Sequence, residues 1–194
     1  MSRYTDIQLD ALRELANIGS GTASTALSGM LGKSVDISVP NAFVLPMAEA
    51  VGTIGDPESE ATGVVLGIVG ELPGSVLLLF TPKDAELMCG LLGVEAGSEY
   101  GISALMEIGN IVGASYINAL AEMTGLDLEP APPGVATDML GAIVETVLAE
   151  RAGAGDSALL LDSDLVVEGE DCSVSFLLVP DQGGVDQMLE RLGV

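Results

Sequence analysis

The sequence predicts an α+β fold in which an α-β unit is duplicated, giving approximate two-fold symmetry and a largely antiparallel sheet with long helices packed on it. Three observations lead to this prediction. Asp10 to Pro40 can be laid without gaps over Ser103 to Pro133. Each copy opens with a long helical pattern and continues through β-like stretches into a closing helix. Short turns join the β-like stretches, which is typical of antiparallel strands.

The repeat involves much more than one short motif. Identical residues stand opposite each other along the two copies: Leu12 and Leu105, Ile18 and Ile111, Ala26 and Ala119, Leu27 and Leu120, Met30 and Met123, and Gly32 and Gly125. A hairpin is marginally stable alone. We therefore expect the halves, approximately 5–95 and 98–194, to share one sheet in a single domain spanning residues 1–194.

In the first half, the opening helix is followed by a strand, a hairpin and a helix. Val35, Ile37 and Val39 alternate as in a strand. Residues 61–70 and 74–80 are predicted as a hairpin with its turn near Leu72 to Gly74. Residues 82–93 are predicted as a short helix, with proline at its start and glycine at its end.

The second half repeats this order with one expected difference. Residues 157–169 and 172–180 are predicted as the hairpin, and residues 181–193 as the closing helix. Residues 136–153 form a strong helical pattern with Thr137 or Asp138 as the cap. The counterpart in the first half, around residues 47–60, is rich in glycine and acidic residues, so we expect its structure to be less regular than that of residues 136–153.

The charge excludes several classes of function. Six basic residues face 29 acidic ones, giving a formal net charge of −23. A nucleic-acid binder that neutralises phosphates is excluded, and docking on anionic lipid is disfavoured. Self-repulsion at this charge is relieved in concentrated salt, where the Debye length is about 3 Å near 1 M. We therefore interpret the acidic chain as a halophilic protein of a salt-accumulating cytoplasm, the alternative being an ordinary acidic mesophile protein.

Other absences narrow the chemistry further. The chain has no histidine, so His-ligated zinc and Ser-His-Asp catalysis on this chain are excluded. Cys89 and Cys172 stand alone and are interpreted as buried thiols of a cytosolic protein. No signal-peptide run or membrane-spanning stretch is apparent, and the acidic residues 162–164 do not fit a calcium loop. We expect a cytoplasmic location and no metal or cofactor bound by the chain itself.

Each opening helix carries a polar stripe. Placed at 100° per residue, the polar residues of a copy fall within about 60° of one another, opposite its apolar residues. The stripes are Asp10, Glu14 and Asn17 in the first copy, and Ser103, Glu107 and Asn110 in the second. A solvated helix face is the ordinary explanation of such residues. The duplication favours a functional role instead, because both copies keep the glutamate and the asparagine while a neighbouring position differs, with Arg13 in the first copy and Met106 in the second.

A glutamate and an amide one turn apart suit the positioning of water. An amide can both donate to a water and accept from it, and a glutamate can orient that water or pair with a cation on a partner. Positioning water is the recurring protein contribution to phosphoryl hydrolysis once a metal neutralises the phosphate. The helix would then enter the active site of another protein.

The pattern [Asp/Ser]-x3-Glu-x2-Asn, followed after 21 or 22 residues by proline, resembles the signature of the CheC/CheX/FliY phosphatases. These act on the phosphorylated chemotaxis response regulator CheY. The first copy ends the pattern at Pro40, and the second at Pro132 or Pro133. Two intact sites resemble CheC more than CheX, which has one, and the chain has no room for the extra domain of FliY.

The resemblance implies a CheC-like fold with both motif helices exposed on one side of an antiparallel sheet. It implies an aspartyl-phosphate phosphatase of a two-component system. In that role Asn17 or Asn110 aims the water, and Glu14 or Glu107 helps to place it or engages a lysine of the regulator. The regulator supplies the phosphoaspartate and the Mg²⁺. Asp10 and Ser103 are expected to be peripheral, and the motif prolines structural. Family members also bind the deamidase CheD. A non-catalytic adaptor that binds phosphorylated CheY or CheD is the alternative.

Overall fold

A computed structural model describes residues 4–150, 157–168 and 170–194 of the chain. The helices and strands follow in this order: α1 (Asp6–Leu31), β1 (Val35–Pro46), α2 (Met47–Ile54), β2 (Glu60–Gly70), β3 (Gly74–Phe80), α3 (Pro82–Leu91), α4 (Glu99–Thr124), β4 (Leu128–Pro130), β5 (Gly134–Met139), α5 (Leu140–Glu150), β6 (Ser157–Val167), β7 (Glu170–Pro180) and α6 (Gly184–Leu192).

One seven-stranded sheet contains strands of both halves. Its order is β1-β6-β7-β3-β2-β4, and β5 also pairs with β2. These pairings are all antiparallel, which confirms the predicted sheet. The central strands β3 and β7 come from different halves. At the sides, β1 of the first half pairs with β6 of the second, while β4 and β5 of the second half pair with β2 of the first.

Helices cover both faces of this sheet. Along β3, Val76 and Leu78 face a core that is shared with α1, α3, α4 and α6. The intervening Leu77 and Leu79 face a second core that is shared with α2 and α5. Because the central strands are buried on both faces, their sequences are nearly continuous apolar runs instead of alternating ones. The sheet thus separates the two long helices, α1 and α4, from the shorter pair α2 and α5.

Several predicted elements are confirmed. The two hairpins form as β2 with β3 and β6 with β7, each antiparallel. The short helices after them form as α3, with Pro82 in its first turn, and α6. Cys89 lies in α3 and Cys172 in β7, and both thiols are buried. The acidic residues 162–164 lie within strand β6.

The predicted start of the helix over residues 136–153 is wrong. Helix α5 begins at Leu140, and Thr137 and Asp138 lie in β5. The reason is pairing with β2, where the Thr137 hydroxyl lies 2.9 Å from the hydroxyl of Thr62 instead of capping a helix. Residues 151–153 of the predicted helix lie outside the described part of the chain.

The first-half counterpart, which we expected to be less regular, forms a shorter helix that covers only part of residues 47–60. Helix α2 begins at Met47, and the repeat offset of 93 residues carries this start to Leu140, the start of α5. Ala50 is fully buried, with Val51 and Ile54 packed partly against the same core. Burial of this apolar face stabilises the helix, and acidic residues and a glycine follow after Ile54.

No helix within the described ranges is both long enough and apolar enough to cross a membrane.

Candidate active site

The two motif helices are the same element built twice. Helices α1 and α4 each have 26 residues, and their bounds differ by 93 at both ends (6 and 99, 31 and 124). Thr5 and Ser98 cap their starts with side-chain hydroxyls. Gly32 and Gly125 end them in left-handed conformations, at φ of 63° and 66°, which glycine adopts without strain. The motif residues therefore lie at equivalent heights in two equivalent helices.

On α1, the predicted stripe faces solvent. Asp10, Glu14 and Asn17 are all exposed. Arg13 donates a 2.7 Å hydrogen bond from Nη2 to Oδ1 of Asp10, forming an ion pair at the protein surface. Within the residues that the structure describes, the side chains of Glu14 and Asn17 have no hydrogen-bond or ion-pair partner. Both groups are therefore available to a water molecule or a partner protein.

The stripe on α4 repeats this arrangement with one difference. Ser103 and Glu107 are exposed, whereas Asn110 is half-buried. Neither Glu107 nor Asn110 has a side-chain partner among the described residues. The two copies therefore expose their amides to different extents.

Close packing on the opposite side of each helix holds both stripes in place. On α1, residues on the side opposite the stripe are buried: Leu12, Leu15, Ala16 and Gly19. Those on the corresponding side of α4 are also buried: Leu105, Ile108, Gly109 and Val112. A Cβ placed on Gly19 would lie 3.0 Å from Cα of Tyr116, so the two helices approach at this glycine. Gly21 and Gly29 of the same helix are exposed, and a Cβ placed on either would have no neighbour within 4 Å.

The motif prolines lie where the strand pairing after each long helix is interrupted. In β1 the pairing with β6 shifts register between Ser38 and Asn41, which brackets Pro40. The repeat offset carries this segment onto residues 131–134, where Pro132 and Pro133 separate β4 from β5. Proline lacks an N–H for the sheet ladder, which explains why the pairing is interrupted at the same place in both copies.

A cleft beside the first stripe was not predicted. It has a volume of about 240 Å³ and lies between α1 and β1. Its walls are Asp6, Leu9, Asp10, Arg13, Asn41, Ala42 and Phe43. The repeat gave no signal for it, because the second copy has Met106 opposite Arg13 and Gly134 opposite Asn41. The two sites thus share their Glu/Asn pair but differ in the surface next to it.

The strongly shifted ionisable groups belong to the core. Burial raises the pKa of Tyr116 to about 12. Burial, reinforced by the negative charge of Asp84, raises the pKa of the Cys172 thiol to about 12. Among the described residues, no group of three or more histidine, cysteine, aspartate and glutamate side chains is placed to hold a metal ion.

Comparison with known proteins places these helices in a family. Residues 7–44 and 101–136, which contain both stripes, match the CheC-like family. CheY-P phosphatase CheC of Bacillus subtilis is 31% identical over 196 aligned residues, which cover 96% of this chain and 94% of that protein. The chain belongs to the CheC-like family.

Several solved structures share the fold of this chain. The crystal structure of Thermotoga maritima FliY superposes with a TM-score of 0.77 at 22% identity, covering 98% of each chain. A crystal structure of a CheX-CheY-BeF3-Mg²⁺ complex from Borrelia burgdorferi gives a TM-score of 0.53 at 15% identity. It covers 90% of this chain and 99% of that one. The antiparallel sheet with helices packed on it is therefore the fold of this family.

Proposed function

We propose that this CheC-like chain is a chemotaxis protein phosphatase that hydrolyses the aspartyl phosphate of CheY. Glu14 with Asn17 and Glu107 with Asn110 form its two sites. One observation carries the proposal: two equivalent, closely packed helices hold the same glutamate and asparagine at equivalent positions, without side-chain partners among the described residues. Polar side chains left uncommitted on a rigid element can be aimed at a reacting group without reorganisation.

The proposed reaction uses water as the nucleophile. The asparagine amide accepts a hydrogen bond from the water through its oxygen and donates one through its nitrogen. These bonds orient the water so that a lone pair of its oxygen points towards phosphorus. The glutamate carboxylate accepts a second hydrogen bond from the water or pairs with a lysine of the regulator. The bond from the water oxygen to phosphorus forms as the bond from phosphorus to the aspartyl oxygen breaks. The products are inorganic phosphate and a free aspartate, and the proton of the water passes to solvent.

The regulator is expected to bring its own Mg²⁺, which neutralises charge on the phosphoryl group. This division of labour agrees with the side chains of the stripes, which supply position and no nucleophile of their own. Asp10 is held by Arg13 at the margin of the first stripe, and Ser103 replaces it in the second. We assign these two residues a supporting role.

The names of the relatives support the proposal. The Bacillus relative is a CheY-P phosphatase, and the Borrelia structure contains CheX together with CheY. The second expected partner, CheD, stays a prediction of the family resemblance.

The lifetime of phosphorylated CheY from the same cell tests the function, with and without this protein, in Mg²⁺ and molar KCl. Removing a water-positioning amide should lower the rate by roughly 10²-fold or more, so Asn17→Ala combined with Asn110→Ala should abolish the acceleration. A variant carrying Asn118→Ala and Glu122→Ala is the matched control, because it removes the same two residue types from exposed positions further along α4.

If substituting the Glu/Asn pair of one helix abolishes the activity while substituting the other pair does not, the first pair marks the active half. Full activity in the double asparagine variant would refute the mechanism. An unchanged CheY-phosphate lifetime with retained binding would instead make the protein an adaptor.

A further inference from the structure

Two large hydrophobic side chains stand out in solvent at equivalent positions of the repeat. Ile7 is 69% exposed and Tyr100 79%, the two highest values among the large hydrophobic side chains of the described residues. The offset of 93 residues that relates the two motifs also relates this pair. Each residue lies in the first turn of its helix, two positions after the capping Thr5 or Ser98.

Each hydrophobic residue lies on the same side of its helix as the motif glutamate. Ile7 precedes Glu14 by seven residues, and Tyr100 precedes Glu107 by the same number. Seven residues make about two turns, so the side chains point in nearly the same direction, about 10 Å apart along the axis. The apolar residue thus extends the surface that presents the Glu/Asn pair, towards the beginning of the helix.

A single exposed hydrophobic residue needs no explanation, because most of a protein surface is apolar. The duplication does need one. The side chain changes from isoleucine to tyrosine between the copies, while its apolar character, position and exposure persist. Tyr4 and Tyr116, the other tyrosines, are buried. A contact that requires apolar area, without requiring one shape, would preserve these properties.

Hydrophobic contact also suits the charge of the chain. At a net charge of −23, an interface made of ion pairs would depend on cationic side chains of the partner and would weaken as salt rises. Apolar contact is not screened by salt. Tyrosine and isoleucine at the margin of a polar site supply such contact, and tyrosine is enriched in protein interfaces.

We propose that Ile7 and Tyr100 are the docking residues of the two sites. Each binds an apolar patch on the receiver domain of the phosphorylated regulator, about 10–15 Å from its phosphoaspartate, which is the rise along the helix to the glutamate and the asparagine. This inference rests on the proposed phosphatase function. In this role Ile7 and Tyr100 set the affinity for the regulator, and the Glu/Asn pairs act on the bound phosphate.

Binding and turnover test the proposal separately. The regulator, loaded with beryllofluoride and Mg²⁺ as a stable mimic of its phosphorylated state, is titrated into the wild type and into an Ile7→Gln/Tyr100→Gln variant. The loss of an apolar anchor should weaken binding about tenfold or more. In the turnover assay, KM for phosphorylated regulator should rise by a similar factor while kcat stays within about twofold, since only docking is removed.

Two control variants separate docking from general effects. Met139→Gln removes another exposed hydrophobic side chain, 52% exposed and directly preceding α5 on the other side of the sheet, and should leave KM unchanged. Ile7→Leu combined with Tyr100→Phe keeps the apolar area and should keep the affinity. Circular dichroism confirms that each variant is folded.

An active wild type with the same affinity and KM as the glutamine variant would overturn the docking proposal and leave the phosphatase proposal standing. A wild type that neither binds the regulator nor shortens the life of its phosphate would overturn both.

Discussion

The contact between Gly109 of α4 and Val64 of β2 leaves no room for a methyl group. A Cβ on residue 109 would lie 2.6 Å from both Cβ and Cγ1 of Val64. Carbon atoms in contact are normally about 3.5–4.0 Å apart, so Gly109→Ala must separate the helix from the strand by about 1 Å. Overpacking of this kind costs about 1–3 kcal/mol, against a gain of about 1 kcal/mol in helix propensity. We expect a net loss of up to about 2 kcal/mol.

The matched control is the same substitution one turn later. A Cβ on Gly113 would lie 2.9 Å from Cδ1 of Leu66, the mobile end of a flexible side chain that can move aside. Gly113→Ala should therefore leave stability unchanged or raise it by up to about 1 kcal/mol. Urea unfolding of the two variants measures the difference. Equal stabilities, or a more stable Gly109→Ala, would refute the argument from backbone approach.

The clash at Gly109 should also reach the site, because Asn110 is the next residue. A shift of about 1 Å in a positioning group can lower a rate by about 10²-fold. In a background carrying Glu14→Ala and Asn17→Ala, so that only the α4 site acts, Gly109→Ala should reduce phosphatase activity far more than Gly113→Ala. The α1 site already carries Ala16 and Ser20 at these two positions. Equal activities would show that the packing does not hold the amide.

Two further predictions concern the whole protein. Burial raises the pKa of Cys172 from its ordinary value of 9.0 to about 12 and that of Tyr116 from 10.0 to about 12. The unfolded chain therefore loses these protons first, so the contribution of these two groups to stability should be fully present below about pH 9 and be lost as pH rises towards 12. Cys172→Ala should make the fall measured by urea unfolding shallower, and an unchanged slope would contradict this. The urea midpoint should also rise from dilute buffer to molar KCl, as screening relieves repulsion at a net charge of −23; a constant midpoint would count against the halophilic interpretation.

Local signals in the sequence predicted the motif helices and hairpins well. The apolar residues of α1 and α4 recur at helical spacing, and those opposite the polar stripes are buried. Hydroxyl caps at Thr5 and Ser98 and glycines at 32 and 125 set the helix ends. Each of these features acts within a few residues, so the sequence alone reveals it. The exposed stripes follow from the same periodicity.

Features that depend on distant parts of the chain were missed. Threonine is a residue type that often caps helices, which led to the wrong prediction at Thr137. Thr137 instead pairs with Thr62 of β2, far away in sequence, and this pairing places it in a strand. The sequence also does not show that β1 pairs with β6, because an alternating pattern specifies a strand and not its neighbour. The cleft beside Asp10 was missed for the same reason, since Asn41 and Phe43 reach it from β1.

The exchange of strands between halves sets the order in which a newly made chain can fold. Strand β1 pairs with β6, which begins at Ser157, so the pairing must wait until most of the chain has been translated. At usual ribosome speeds that wait is on the order of ten seconds. Throughout it, the edge of β1 that β6 will cover stays open to wrong partners. Helix α1 rests on β1 and on α4. The first site to be synthesised is thus among the last parts of the protein to be completed.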